Sequence, residues 1–367
     1  ETDDSGVPFE FPTVNDRYKS TKASNFTKIP GSPVAYWLSD NFANAFRGKN
    51  VKSVANPCIG MRTGDNDRFL RLWFEVCQSK IGFNHRDANS AVNAGSKWIP
   101  YHKGGNFRKW YGNNEYVVNW ENDGEEIKEN TRRVYPQLGD NLGWKISNEQ
   151  FYFKEGISWT SLSSGDTAFR RYKEGFIFSN SGQAVVGASS DMLDFLTALL
   201  NSRFSKEVLD IITPTMGFES GYIAKIPVII PNQDNMALVI KTSKHQTHLS
   251  SNDWDSYETS WDFTRNPLVN GNRLTIAYAA WKQECEKRFH QLKKNEEELN
   301  RIFIDIYGLQ DELTPDVADK EVTVHRVFDR KGDVPETMKG SNYVRTMRDE
   351  IVSLISYAVG CMFGRYS

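Results

Sequence analysis

Cysteine and histidine are scarce in this chain, and neither residue type forms a recognisable disulfide or metal pattern. The four cysteines lie far apart and include no CxxC pair: Cys58, Cys77, Cys285 and Cys361. Of the six histidines, His245 and His248 lie close enough to share a metal on one helical turn, but no carboxylate or cysteine completes a ligand set. A disulfide framework and a zinc site are therefore not expected, and a reducing, cytoplasmic location is predicted.

The chain also lacks the short motifs that mark common catalytic and nucleotide-binding sites. It contains no GxGxxG or GxxxxGK[ST] loop, no GxSxG elbow and no HExxH pair. The apolar run at residues 351–363 is too short to span a bilayer, and the opening ETDDSGVPFEFPTVND is neither a signal nor a transit peptide. These absences argue against a dinucleotide or P-loop enzyme, a hydrolase of the α/β type, a zinc protease and a membrane protein.

Length and composition indicate a folded protein with room for two domains. The 367 residues are 39% hydrophobic and 25% charged, which is enough to build a sizeable core. The formal net charge of -2 argues against general binding to polyanions, so any nucleic-acid contact must come from a locally basic surface.

Residues 97–114, KWIPYHKGGNFRKWYGNN, form such a local concentration of positive charge. The segment contains cations and aromatic rings and no acidic residue. Clustered cations neutralise phosphates, and aromatic faces stack on bases or sugars. An aromatic-rich loop that covers the core, with its charges merely solvated, explains the same composition. The segment therefore predicts either a nucleic-acid contact or a core-covering loop.

Hydrophobic periodicity predicts an α+β fold in which a β-rich mixed domain with packed helices precedes a mainly helical region. The predicted strands are 69–76, 115–120, 175–179, 184–187 and the buried run 226–231; the predicted helices are 32–48, 190–212 with Ser190 as N-cap, 272–307 and 341–363. The predicted organisation is a leading segment 1–30, a recognition domain 31–231, a polar hinge 232–270, and a helical spacer 271–367 that is truncated at its C-terminus. In the spacer, Glu296 interrupts an otherwise apolar stripe.

Four ordered blocks of this chain resemble one known family of enzymes. They are GMRTGDNDRFLRLWFEV (60–76), KWIPYHKGGNFRKWYGNNEYVVNW (97–120), GISWTSLSSGDTAFRRY (156–172) and LLNSRFSKEVLDIITPTMGFESGYIAKIPV (199–228). In this order and spacing they resemble the target-recognition region of PglX-type adenine-N6 DNA methyltransferases of BREX phage-defence systems, in which modification and specificity share one chain. The stretches DWDSYETSWDFTRNPLV (253–269) and ISYAVGCMFGRYS (355–367) resemble segments of the family that lie downstream of that region. The likeness covers roughly residues 56–367.

The chain departs from that family where the family does its chemistry. N6-adenine methylation needs a [DN]PP[YF]-type loop that holds the amino group of a flipped base. Only Asn56-Pro57-Cys58 and Asn266-Pro267-Leu268 come near it, and the FxGxG loop for S-adenosylmethionine is absent. The resemblance therefore implies a non-catalytic specificity module, a piece of a longer protein, with S-adenosylmethionine bound by the missing methyltransferase half of the same protein.

The resemblance and the local chemistry together predict which residues contact double-stranded DNA. The predicted contacts are Arg62, Thr63, Asn66, Lys97, Tyr101, Lys103, Arg108, Lys109, Tyr111, Ser163, Ser164, Thr167, Arg170 and Arg171. The cations of the 97–111 segment would hold phosphates, while Ser, Thr and one of the two adjacent arginines would read base edges. Core packing of the aromatic residues, ion pairing of Arg170 and Arg171, and a purely structural turn at 62–66 remain open as alternatives.

Two other functions remain open. One is a protein-interaction platform for other defence subunits or for a phage-encoded DNA mimic. The other is a metal-dependent nuclease, for which the acidic stretch 121–129 with Glu126 and Lys128 is the candidate site.

Overall fold

The computed structural model describes residues 39–163, 165–213, 216–270 and 273–366. The strands are β1 (Asn56–Cys58), β2 (Leu70–Leu72), β3 (Trp98–His102), β4 (Tyr116–Asn119), β5 (Gly156–Thr160), β6 (Arg170–Tyr172), β7 (Ile177–Phe178), β8 (Gly182–Val186), β9 (Arg326–Phe328) and β10 (Val344–Thr346). The helices are α1 (Asp40–Ala45), α2 (Val51–Val54), α3 (Asn66–Phe69), α4 (Ala88–Asn93), α5 (Glu121–Val134), α6 (Ser190–Leu200), α7 (Arg203–Ile212), α8 (Ser220–Ile223), α9 (Gln233–Trp254), α10 (Leu274–Tyr307) and α11 (Met347–Met362). The predicted leading segment 1–30 lies outside the described residues.

The strands form two four-stranded sheets and one separate parallel pair, which confirms the predicted α+β class. One sheet has the order β2-β4-β3-β7, and the other has the order β1-β8-β5-β6. In the first sheet β3 and β7 run parallel, with His102 opposite Phe178, while the remaining neighbours in both sheets are antiparallel. The tight β7–β8 turn carries the chain from one sheet to the other.

The main hydrophobic core lies between the β1-β8-β5-β6 sheet and the helices α6, α7 and α10. Trp159 of β5, Phe195 of α6 and Phe303 of α10 are all fully buried in it. Phe204 of α7 stacks on Tyr307 of α10, with ring centroids 3.6 Å apart. These contacts join residues on both sides of the predicted 232–270 hinge, so the proposed recognition domain and helical spacer share one core.

The predicted hinge and the predicted strand before it both differ from what the structure shows. Residues 232–270 contain the 22-residue helix α9, whose N-cap is Asn232. The run 226–231 forms no strand: Val228 donates its amide to the Lys49 carbonyl, and Ile229 and Ile230 are exposed. A polar composition was misleading for α9 because that helix buries small and polar side chains, among them Ser243, Gln246 and Ser250.

The predicted helix 190–212 is two helices, because the helical conformation is interrupted at Asn201 and Ser202. Ser202 accepts a hydrogen bond from the Ser205 amide and starts α7 as its N-cap, and Ser189, not Ser190, caps α6. The long helix predicted at 272–307 is confirmed as α10, and the final helix at 341–363 is confirmed in the shorter form of α11. In the parts of the chain that the structure describes, no helix is both long and apolar enough to cross a membrane.

Candidate nucleic-acid interface

The turn between β7 and β8, Ser179–Ser181, binds three separate chain segments through main-chain hydrogen bonds. The Ser179 amide donates to the His102 carbonyl (3.1 Å), and the Asn180 amide donates to the Met61 carbonyl (3.1 Å). The Ser181 carbonyl accepts from the Ser161 amide (2.8 Å). The loops that begin at Arg62, Lys103 and Leu162 therefore all start next to this turn. We call them the three junction loops (62–66, 103–107 and 162–167).

Two of the junction loops present cations that form no ion pair within the described residues. Arg62 is exposed and Lys103 is half-buried. Partial burial lowers the pKa of Lys103 from its ordinary value, and no carboxylate opposes that shift. Gly104 and Gly105 follow Lys103 with φ of 94° and 148°, values that favour glycine, and they let the backbone turn closely around Thr160.

The first junction loop is also held by its own side chains. The Thr63 hydroxyl donates to Asn66 Oδ1 at 2.5 Å, and Asp65 caps α3 by accepting from the Arg68 amide. Thr63 is buried, which contradicts its predicted contact with DNA, while Asn66 is exposed. The turn can therefore have a structural role and still leave Arg62 exposed for binding.

The third junction loop pairs with residues 216–218. The Ser163 amide donates to the Met216 carbonyl (3.1 Å), and Leu162 forms an antiparallel bridge with Gly217. Ser163 is half-buried and its hydroxyl donates to the Asp166 carbonyl. Ser164 lies outside the described residues, and the Thr167 hydroxyl is buried without a hydrogen-bond partner among the described residues.

The charge around the junction loops is mixed. A cleft of about 630 Å³ opens between the second and third loops, and its lining includes Asp166, Lys206, Lys320 and Glu321. Lys206 pairs with Asp166 at 2.5 Å. Residues 105–107 with residues 162, 163, 165 and 166 thus line one cleft, and its surface is polar with both signs of charge.

Arg108 and Lys109 were predicted to be exposed phosphate contacts, and this prediction is wrong. Arg108 is buried with Asp253 of α9 at 3.0 Å and lies over the Trp254 ring. Lys109 is buried with Glu296 of α10 at 2.5 Å. Each cation is paired with a carboxylate from a helix that is distant in the sequence. Its charge is therefore not available to a phosphate of the DNA backbone.

Arg170 and Arg171 were predicted as base or phosphate contacts, and both are buried instead. They point to opposite sides of β6, as expected of neighbours on a strand. Arg171 pairs with Asp194 (3.1 Å) and with Glu155, whereas Arg170 donates to the backbone carbonyls of Arg108 and Ala168. Their exposed fractions of 3% for Arg170 and 8% for Arg171 leave no surface for base readout.

Three other predicted contacts, Tyr101, Lys97 and Tyr111, do not lie on the junction loops. Tyr101 is fully buried and donates its hydroxyl to the Met61 carbonyl, so the core-packing alternative holds for it. Lys97 precedes β3 at the end opposite Lys103 and pairs with Glu121 at 2.7 Å. Tyr111 lines a different groove, together with Tyr172 and Lys244.

The described residues give no support to a metal site or a nuclease. No group of three histidine, cysteine, aspartate or glutamate side chains in the described ranges is placed to hold a metal ion. Glu126 binds Arg68 and Asn119, and Lys128 is paired with Asp123 and Glu149. Both candidate nuclease residues are thus engaged in local ion pairs and hydrogen bonds.

Two features of the site escaped the sequence analysis although each left a signal. The Ser-Asn-Ser-Gly run at 179–182 has a turn composition, but its role as a common anchor depends on contacts with three remote segments. Glu296, the single acid in an apolar stripe, signalled a buried cation partner, and that partner is Lys109.

No family model matches the chain. It is 38% identical over 368 residues to the adenine-specific methyltransferase PglX of Lacticaseibacillus casei (strain Zhang), an alignment that covers 97% of this chain and 28% of that protein. It is 33% identical over 362 residues to the adenine-specific methyltransferase BrxX of Escherichia coli O9:H4 (strain HS), covering 95% of this chain and 27% of that protein.

A more distant likeness is to a solved structure, the Type IIL restriction-modification enzyme MmeI in complex with DNA. The TM-score is 0.41 at 12% identity, covering 73% of this chain and 34% of that one. The sequence matches are much closer, and in both of them the chain spans less than a third of its relative. The chain belongs to the family of adenine-specific methyltransferases that includes PglX and BrxX.

Proposed function

We propose that this chain recognises duplex DNA for an adenine-N6 methyltransferase of bacterial phage defence. The observation that supports this most is the attachment of three polar loops to the single turn Ser179–Ser181. Loops fixed side by side on rigid strands are how proteins present several side chains to one ligand surface. The names of the sequence relatives supply adenine as the methylated base, and duplex DNA as the molecule that carries it is part of this proposal.

The junction loops divide into positioning and reading groups under this proposal. Arg62 and Lys103, which have no ion pair within the described residues, hold backbone phosphates. Asn66 presents its side-chain amide to base edges, and base contacts by Ser163 and Ser164 of the third loop stay predictions. The buried cations act indirectly: Arg108, through Asp253, fastens the segment after the second loop to α9.

Catalysis is assigned to other parts of the longer protein. The chain lacks the [DN]PP[YF] and FxGxG signatures, so we expect S-adenosylmethionine and the flipped adenine to be held elsewhere in that protein. Binding of other defence subunits or of a DNA mimic remains a prediction.

Charge reversal of Arg62 and Lys103 tests the proposal. Arg62→Glu/Lys103→Glu should weaken duplex binding at least tenfold in a low-salt gel shift, because it removes two phosphate contacts and adds repulsion. In titrations with salt, neutral Arg62→Gln/Lys103→Gln should reduce the slope of log K against log salt by about 0.9 for each lost contact.

The matched control is Lys241→Glu, an exposed lysine on α9 that lies outside the junction loops. It changes the net charge in the same direction and should affect binding little. Equal loss in the control and the Arg62/Lys103 variant, or unchanged binding in both, would rule out the junction loops as the DNA surface.

A further inference from the structure

Trp144 is the one tryptophan among the described residues that is exposed, with 69% of its surface accessible. It ends a short 3₁₀ helix, Leu142–Trp144, on the segment between α5 and β5. Its indole nitrogen forms no hydrogen bond within the described residues. Tryptophan is enriched among the few residues that carry most of the energy of an interface, so an exposed and unengaged ring of this size is a candidate contact residue.

The backbone that carries Trp144 is firmly held although its side chain is not. Leu142 and Ile146, on either side of it, are buried in the hydrophobic core. The amides of Lys145 and Ile146 both donate to the Leu142 carbonyl at 2.8 Å. The ring is therefore presented outward before any partner binds, which reduces the conformational entropy lost on binding.

The same segment is joined directly to the first junction loop. The Arg62 amide donates to the Lys145 carbonyl (2.8 Å), so Trp144 is the immediate neighbour of the residue that binds the start of this loop. The side-chain amide of Asn148 donates to the Ile59 carbonyl at 2.8 Å. Trp144 thus has a fixed place next to the proposed DNA surface.

Two cations accompany the exposed ring. The Lys145 ammonium lies over the Tyr135 ring, 3.9 Å from its centroid, and this contact orients it. Lys145 is half-buried and, like the exposed Arg62, forms no ion pair within the described part of the chain. An aromatic ring beside cations that have no carboxylate partner is suited to a polyanion whose surface alternates charged and apolar groups.

We propose that Trp144 packs its ring on a deoxyribose of the bound duplex, while Lys145 binds a phosphate of the same strand. This inference rests on the proposed DNA-recognition function. The base faces of an intact duplex are covered by their stacked neighbours, so a ring placed beside phosphate-binding cations meets the apolar face of a sugar. Sugars and phosphates are the same at every position, so these two residues hold the duplex without reading its sequence.

This role is measurably different from base readout and from phosphate binding. A neutral ring displaces no counterion, so Trp144→Ala should weaken binding without changing the slope of log K against log salt. Lys145→Gln should reduce that slope by about 0.9. Both changes should weaken every duplex alike, whereas Asn66→Ala, which removes a proposed base contact, should weaken the preferred duplex most.

The test measures binding of the full 367-residue chain to a duplex that it selects from a random-sequence pool and to an unrelated duplex. Trp144→Ala should bind both about tenfold more weakly, because the apolar area that the sugar covers is lost. Trp144→Phe should recover most of this loss. Phe363→Ala removes an 86% exposed aromatic ring next to the end of α11, and as the matched control it should bind as wild type does.

The outcomes separate this contact from the proposed function. Wild-type binding by Trp144→Ala, together with weakened binding by Arg62→Glu/Lys103→Glu, overturns the sugar contact and leaves DNA recognition standing. A loss confined to the selected duplex also overturns it, since that result would assign base readout to Trp144. Failure of the wild-type chain to bind any duplex overturns both.

Discussion

His102 is held between two aromatic rings in the interior of the protein, next to the junction. Its ring stacks on Phe176 (centroids 4.4 Å apart) and lies 4.3 Å from Tyr172. Its Nε2 atom has no hydrogen-bond partner among the described residues. Burial, assisted by the nearby Arg170 guanidinium, lowers the pKa of His102 to about 3, so the imidazole is neutral in the folded protein.

This burial predicts a specific loss of stability in acid. The unfolded chain binds a proton at His102 near pH 6.5 and the folded protein does not until about pH 3, so protonation favours unfolding between those values. His102 should therefore contribute a fall of about 1.4 kcal/mol in unfolding free energy for each unit of decreasing pH in that window. His102→Phe should remove this contribution from urea-unfolding curves measured across the window.

The matched control is His248→Phe, an exposed histidine on α9, which should keep the wild-type dependence on pH. If His102→Phe and wild type lose stability in parallel as the pH falls, the buried neutral imidazole does not account for the acid sensitivity.

At the scale of secondary-structure elements, α10 is connected to the 103–111 segment by one buried polar cluster. Glu296 accepts from Lys109 Nζ (2.5 Å) and from the Trp110 indole nitrogen (2.7 Å). Burial raises the pKa of the Glu296 carboxyl, while Lys109 acts in the opposite direction. Removal of one partner leaves the other charge buried and unpaired, which is much more destabilising than replacing both.

Lys109→Met should therefore lower the unfolding free energy by about 3 kcal/mol or more in urea titrations. Lys109→Met/Glu296→Gln should be less destabilised than Lys109→Met alone, since the amide oxygen still accepts from Trp110 and no charge is buried. Lys293→Met on the same helix removes a partly exposed pair with Asp319 and should change stability by less than about 1 kcal/mol. A double variant less stable than Lys109→Met would contradict this account.

The elements with regular apolar spacing could be predicted from the sequence, and those shaped by remote contacts could not. The start and end of α10 were predicted almost to the residue because its apolar steps are periodic. The α6–α7 break was missed because the apolar stripe continues through Asn201 and Ser202, and only the Ser202 cap reveals it. The candidate loops were recognised by composition, but the burial of Arg171 depends on Glu155 and Asp194 and could not be seen locally.

At the scale of the whole molecule, the described helices and sheets on either side of residue 231 depend on one another. Phe195 of α6 packs against Phe303 of α10 at 5.8 Å, and the Arg108–Asp253 and Lys109–Glu296 pairs cross the same divide. The core would lose part of its apolar lining and leave buried charges unpaired if the two parts were separated.

A protease site inserted between residues 231 and 232 should give a cut protein whose halves elute together under native conditions and separate only in denaturant. Each half expressed alone should show no cooperative unfolding by circular dichroism, with the uncut protein as reference. Cooperative unfolding of the isolated 1–231 half would show that this part of the chain is an independent domain.

The Ser179–Ser181 turn holds its three neighbours chiefly through peptide groups, and peptide groups are the same whatever side chain a residue carries. Positions beyond the anchor points, such as 62, 103 and 106, can therefore be varied without weakening the hydrogen bonds that the turn makes. A library randomised at these three positions should yield mostly folded proteins, and cooperative unfolding of its members by circular dichroism would check this.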